Sequence, residues 1–316
     1  MQPHHLESDR LLGPAGSQVL DDFRIGKLVV VGVGLIGGSL AAALKRADVV
    51  DRVVGVGRSR TNIEHALSLG VIDEASDDIA NAASDADIVL VAVPVGQTAS
   101  VIEQLRGALE NGAIVTDAGS TKRDFAMLVR AQLGHQPGTG GLGNIVPGHP
   151  IAGAERAGVK AATPDLFVGK RVVLTPLPES NNASVDRVQA MWRACGAEVI
   201  RMSAEHHDSV FSAVSHLPHV LSYALVAMIA SRDNAEELFS YAASGFRDFT
   251  RIAGSSPEMW RDICATNRDQ IVSDIEAFQQ ALAAMADHIR AGEVDSLESI
   301  FAAAVRARQA WIDSLK

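Results

Sequence analysis

The chain has 316 residues, 47% apolar and 21% charged, and at about 150 residues per domain it is long enough for two domains with sizeable cores. That composition excludes wholesale disorder. With 28 Lys and Arg against 38 Asp and Glu the formal net charge is −10, so the basic footprint of a nucleic-acid binder is missing; 4% aromatic residues leave little for base stacking. Two cysteines, Cys195 and Cys264, make neither a disulfide framework nor a zinc-ligand spacing, and both read as small buried hydrophobes. No consecutive apolar run reaches the roughly 20 residues of a membrane helix. Residues 1–23 lack the apolar core of a signal peptide and read as a loose tail. A cytoplasmic location is expected, with no membrane or nucleic-acid partner.

In chain order, residues 28–31 form a continuous apolar run, the pattern of a parallel strand covered on both faces. Glycines follow, then an Ala- and Leu-rich helix start at 39–44. Strands are predicted at 53–56, 88–93, 114–116, 171–174 and 199–200, and helices at 61–69, 99–109, 122–133 and 185–195. The stretch 134–143 is glycine-rich and reads as an exposed loop. Residues 145–146 lead into Pro147-Gly148-His149-Pro150. This βαβα rhythm predicts an α/β fold, a doubly wound parallel sheet with helices on both faces. From about residue 203 strand signals vanish. Helical spacing then predicts helices at 204–214, 219–230, 235–243, 259–287 and 294–315. The expected organisation is a tail (1–23), a dinucleotide-binding domain (24–202) and an all-α domain (203–316). Such an Ala-rich bundle suits completion of its core across a homodimer interface, although a self-contained bundle has the same pattern.

The sharpest motif is Gly32-Val33-Gly34-Leu35-Ile36-Gly37. Alone a GxGxxG match is weak, but here it follows a predicted strand and opens a predicted helix. Gly32 makes the tight turn, Gly34 admits a pyrophosphate, and Gly37 lets helix and strand pack closely. The helix start, with Leu35 and Ile36, presents free N–H groups to phosphate. This is the Rossmann-type arrangement. The second strand ends in Arg58-Ser59-Arg60, with no carboxylate for a ribose 2′-hydroxyl, which suits the 2′-phosphate of NADP; NAD without an acidic contact is the alternative. Val93 and Pro94 close the next strand, as a cofactor wall or a plain strand terminator.

In Asp117-Ala118-Gly119-Ser120-Thr121-Lys122, Ser120 either serves the nicotinamide and a catalytic base or, like Thr121, caps a helix. Lys122 is a candidate to face a substrate carboxylate. His149, pinned between Gly148 and Pro150, is the candidate base, since an ordinary pKa of about 6.5 suits proton abstraction near neutrality. Glu155 lies just beyond, as a gate or a solvated loop residue. Ser215, His216 and His219 open the helical half and read as substrate contacts. Glu205 and Asp208 nearby make no zinc pattern, and no metal is expected. In Gly245-Phe246-Arg247-Asp248-Phe249-Thr250-Arg251, Arg251 or Arg247 suits a substrate carboxylate, with Asp248 holding one of them; Trp260 follows.

Taken together, the glycine fingerprint, the 117–122 segment, 148–153, 215–219 and 245–260 resemble the prephenate/arogenate dehydrogenase family of tyrosine biosynthesis, from about Lys27 to the C-terminus. The resemblance implies a Rossmann domain followed by a helical dimerisation domain. It implies oxidative decarboxylation of a cyclohexadienol acid with NADP or NAD. His149 matches the base that takes the ring hydroxyl proton, and Ser120 the residue that positions it and the nicotinamide. Arg251 matches the carboxylate arginine. Ser215, His216 and His219 match pocket positions, Gly245, Asp248 and Trp260 the pocket-shaping segment, and Glu155 a gating acid. No mutase or regulatory domain is visible, so a monofunctional enzyme is expected. Competing readings are a β-hydroxyacid or imine reductase of the same plan, which the 215–219 and 245–251 segments oppose, and a non-catalytic NADP-sensing module, which leaves the base and arginines unexplained.

Overall fold

The structure, a computed structural model, describes residues 23–134, 141–153 and 158–315. The expected tail therefore lies almost wholly outside the described residues, as do Glu155 and most of the glycine-rich loop.

The first half runs β1 (Ile25–Val31), α1 (Leu35–Arg46), β2 (Val50–Val56), α2 (Arg60–Ser68), β3 (Glu74–Ser76), α3 (Ile79–Ala83), β4 (Ile88–Val91), α4 (Thr98–Gln104), α5 (Arg106–Glu110), β5 (Ile114–Asp117), α6 (Arg123–Leu133) and β6 (Ile145–Val146). These strands form one parallel sheet in the order β3-β2-β1-β4-β5-β6. Register follows from the apolar runs: Val29 pairs with Val54 on one side and Val89 on the other. Alternate residues feed opposite faces. Leu28, Val30, Ile88 and Leu90 join a core with Phe167 and Trp192, and Val29, Val31, Val89 and Val91 join a second with Ile102 and Val129. Each such buried side chain contributes about 1.5–3 kcal/mol.

The chain then departs from the single parallel sheet expected. β7 (Gly148–Pro150), β8 (Arg171–Leu174) and β9 (Glu198–Arg201) make a separate three-stranded sheet, with α7 (Asn182–Ala194) between β8 and β9. β7 runs antiparallel to β8, placing His149 opposite Val173. Pro147 has no N–H to continue a ladder, so β6 stops after two residues and the chain joins a new sheet. His149 thus sits within a short strand rather than beyond the end of one.

No strand follows Arg201 among the described residues. α8 (Ala204–Phe211), a π-helical turn (Ser212–His216) and α9 (Leu217–Ala230) form one continuous run, where two separate helices were expected. Its 27 residues are, by length and composition, sufficient to cross a membrane. No consecutive apolar run in it reaches that length, because His, Ser and Asp interrupt the sequence, and it qualifies only by its average hydropathy. α10 (Ala235–Ser240), α11 (Ser244–Thr250), α12 (Pro257–Thr266), α13 (Arg268–Ala291) and α14 (Val294–Asp313) follow. The helix expected over 259–287 breaks at Asn267, whose amide is drawn into the interior to donate to the Asp208 carbonyl (2.8 Å) and to meet His216 Nδ1 (3.1 Å). Trp260, Ile263 and Ile271 form a small core. Cys195 is buried, but Cys264 is only half-buried, against expectation.

Candidate active site

The glycine turn between β1 and α1 has the required geometry. Gly32 has φ of +100°, and a Cβ there would lie 2.4 Å from the Ala92 carbonyl oxygen; one on Gly37 would lie 2.3 Å from the Gly32 carbonyl oxygen. By contrast, nothing lies within 4 Å of a Cβ on Gly34, so the space over the turn is open. Gly34 is also the residue preceding α1, and it offers no side chain to the helix's first amides. An anion is the natural partner for those N–H groups, including those of Leu35 and Ile36. The residues present therefore fit a dinucleotide pyrophosphate. Val93 and Pro94 follow β4, leading into a single 3-10 turn, and line the same edge of the sheet.

At the end of β2, Arg58, Ser59 and Arg60 are exposed. Ser59 Oγ accepts from Asn62 N–H as the cap of α2, and Arg60 pairs with Glu64 at 2.9 Å.

Between β5 and β7 lies a buried ion pair. Asp117 accepts from the Gly119 and Gly148 N–H groups and from Lys122 Nζ, and Lys122 Nζ also donates to the Gly148 carbonyl. The pair staples the end of β5 to the residue before His149. Lys122 is fully buried, so the expectation that it faces a substrate carboxylate is corrected. Its ammonium, taken out of water, needs a partner inside, and Asp117 is five residues away on the strand. Ser120 is half-buried in the connecting loop, and its hydroxyl makes no hydrogen bond among the described residues. Neither it nor Thr121 caps α6. The Lys122 and Arg123 amides donate instead to Asp208 (2.8 and 2.9 Å), while Thr121 bonds to Thr266 across the junction of the two halves.

His149 is half-buried. Its Nδ1 is 2.9 Å from His207 Nε2, and His207 Nδ1 is 2.8 Å from Asp208 Oδ1. Phe211 packs edge-on against the His149 ring at 5.0 Å. Burial, with the His207 ring, Lys122 and His216 adding, holds the His149 pKa well below the ordinary value. Burial lowers His207 as well, against the pull of Asp208. Burial alone would push the Asp208 carboxyl up, but the His207 ring and the Arg123 and Lys122 amides outweigh it and hold the group low.

From Asp208 the contacts continue through Asn267 to His216, which is buried and pushed down to about 4 by burial. His216 and His219 share a face of the helical run around Trp260: His216 lies edge-on at 6.0 Å, and His219 stacks at 3.8 Å and 21°. Being sealed inside, His216 supports this wall rather than meeting a ligand, which corrects its expected role as a contact. His219 Nδ1 donates to the Ser215 carbonyl (2.8 Å), leaving Nε2 as its free ring atom. Burial, and the nearby Arg251 guanidinium, lower its pKa against that backbone bond. Arg251 begins the turn after α11, which Tyr223 anchors through a 2.7 Å bond to the Ser255 carbonyl. A chain of contacts thus runs from the His149 strand to the neighbourhood of Arg251. Gly245 and Asp248 sit on exposed α11, where Asp248 lies 3.9 Å from its neighbour Arg247.

Sequence reading missed His207, Asn267 and the caging role of Asp208. The adjacent imidazole and carboxylate at 207–208 were the available signal; Asp208 was weighed only as a metal ligand, and His207 was passed over. Among the described residues no group of three or more His, Cys, Asp or Glu is arranged to hold a metal ion.

A sheet of this order, with helix amides left free above its first turn, is a dinucleotide-binding fold, and the chain is an NAD(P)-dependent dehydrogenase. The family model described as "Prephenate dehydrogenase, nucleotide-binding domain" matches residues 40–201, and "Prephenate dehydrogenase, dimerization domain" matches 203–303. The prephenate dehydrogenase of Bacillus subtilis is 34% identical over 276 residues, 87% of this chain and 73% of that protein. The cyclohexadienyl dehydrogenase of Zymomonas mobilis is 33% identical over 287 residues, covering 90% and 95%. The crystal structure of Aquifex aeolicus prephenate dehydrogenase with hydroxyphenyl propionate and NAD+ superposes with a TM-score of 0.83 at 34% identity, covering 91% of this chain and 99% of that one. The chain belongs to the prephenate dehydrogenase family.

Proposed function

We propose that this chain oxidatively decarboxylates prephenate, arogenate or both, in tyrosine biosynthesis, with NADP as preferred acceptor and NAD as the alternative. The observation that carries the reading is the contact chain from His149 to His219, whose ring lies within the electrostatic reach of the Arg251 guanidinium. It joins a proton acceptor on the nucleotide-binding half to a carboxylate-binding guanidinium on the helical half. His149 takes the ring hydroxyl proton on Nε2, forming an N–H bond as the O–H bond breaks. The hydride leaves the same ring carbon, the bond to the ring carboxylate breaks, carbon dioxide departs, and the ring becomes aromatic. A bound nicotinamide supplies the acceptor for the hydride. Arg251 clamps a substrate carboxylate, His219 on its Trp260 stack borders the ring, Ser120 orients His149 and the cofactor, and Glu155 gates the pocket. Ser215, Gly245 and Asp248 shape the pocket.

Preference for NADP is supported by Arg58, Ser59 and Arg60 at the end of β2, exposed where a 2′-phosphate would lie. We divide the chain at residue 202, between β9 and α8, and read the molecule as a cytoplasmic homodimer joined through the helical half. The matched dimerisation domain and the apolar side chains exposed on α9, α13 and α14 support this reading.

Assays of both substrates with both dinucleotides test the function. Reduced cofactor is expected with at least one pair, and its absence from all four overturns the reading. His149→Asn is expected to lower kcat by about 10²–10⁴ with the fold intact, as loss of a general base does.

A further inference from the structure

Three N–H donors converge on the Asp208 carboxylate. Oδ1 receives the Lys122 amide (2.8 Å) and lies 2.8 Å from His207 Nδ1, and Oδ2 receives the Arg123 amide (2.9 Å). Asp208 is 1% exposed and His207 0% exposed, so water satisfies neither. An ionised carboxylate accepts only, and the start of helix α6 favours its charge. His207 must therefore carry its proton on Nδ1. In its neutral form that leaves His207 Nε2 as an acceptor, and the atom facing it at 2.9 Å, His149 Nδ1, must in turn be the donor. Neutral His149 then has a bare Nε2. The direction of every proton in the chain follows from Asp208 being able only to accept.

We propose that His207 and Asp208 are positioning residues that lock His149 in the Nδ1–H tautomer, keeping Nε2 free to receive a proton. The pair also ties base and loop together. The carboxylate that orients His207 holds the first two amides after the Ser120–Thr121 loop, so movement of α6 moves His149's support with it. The inference rests on His149 being the base, but the tautomer itself exists without substrate and is read independently.

The test is ¹⁵N NMR of the full-length, histidine-labelled protein without substrate, combined with steady-state kinetics. In the wild type the His149 proton is expected on Nδ1. In Asp208→Asn the amide brings its own donor into a ring of donors. The hold on the His207 Nδ1–H is then weaker, a share of His149 is expected to carry its proton on Nε2, and kcat to fall about tenfold or more with KM within about threefold. His207→Leu and His207→Gln guard against a general loosening at the α6 junction. Leucine removes the acceptor and is expected to lose kcat by about 10²-fold, whereas the glutamine carbonyl still accepts from His149 Nδ1 and restores kcat to within about tenfold of wild type. A wild-type His149 protonated on Nε2, or a leucine variant with undiminished kcat, overturns the proposal. So does a glutamine variant as impaired as the leucine one. If no dinucleotide and substrate pair reacts, the functional reading fails while the NMR result still decides the tautomer.

Discussion

In the nucleotide-binding half, strands such as β1 and β4 are covered on both faces, and Leu28, Val29, Val30, Ile88, Val89 and Leu90 have no exposed surface. The helical half contrasts sharply. α14 buries no residue completely, α13 buries only Ile271 and α9 only Ser222, while Met228, Leu282, Ile289, Phe301, Val305 and Trp311 are exposed. The strands of one half are thus saturated, while the long helices of the other stay open. The sheet half completes its core within one chain. The helical half leaves apolar surface exposed, which suits the homodimer proposed above, and beside its small Trp260 core it buries polar groups, His207, Asp208, His216 and Asn267.

The largest expected effect tests the saturated half. Trp192→Ala removes a fully buried side chain that meets Phe167 edge-on, and should cost about 3–5 kcal/mol, read as a lowered denaturant midpoint. Phe301→Ala, measured where the chain is monomeric, should stay within about 0.5 kcal/mol. Equal losses would break the contrast.

Next comes pH, which tests the polar interior of the helical half. His216 falls to about 4 in the folded chain against about 6.5 when unfolded. Between those values the unfolded state binds more protons, so stability rises with pH. The contribution is fully present above about pH 6.5 and is lost as pH falls toward about 4, up to about 3 kcal/mol. His149 and His207, lowered by burial, act in the same direction. Denaturation midpoints measured across that window test the point, and a flat response would remove it.

The smallest effect sharpens the open half. Replacing Phe301 and Val305 by Glu on α14 should raise the dimer dissociation constant about tenfold or more, which is about 1.4 kcal/mol, by sedimentation. An unchanged constant would place the interface elsewhere on the bundle.

What could be read from sequence was what local physics fixes. The glycine turn at 32–37 and the apolar runs at 28–31 and 88–93 have few other solutions, and the Gly-His-Pro segment marked His149. Long-range partners were not legible. Asp117 is close to Lys122 in sequence, but nothing there says that the ammonium turns inward to it and on to the Gly148 carbonyl, and nothing near Ser120 says that α6 is capped by a carboxylate 86 residues away from Lys122. His207 looked like one more polar residue on a helix, because its value depends on β7 arriving from another sheet. The break at Asn267 was hidden for the same reason, since a side chain that ends a helix to bond distant groups leaves no trace in periodicity.

The π-helical turn at Ser212–His216 sets the angular phase of the helix beyond it. One residue of an α-helix turns the chain by about 100°. A widened turn therefore rotates every later side chain relative to those before it. His207 and Asp208 lie upstream of this offset, His216 closes it and His219 lies downstream, so the His207–Asp208 pair and the His216–His219 pair aim at different neighbours although they share one rod. Straightening that turn into regular helix would swing His219 off its stack on Trp260 while leaving His207 in place.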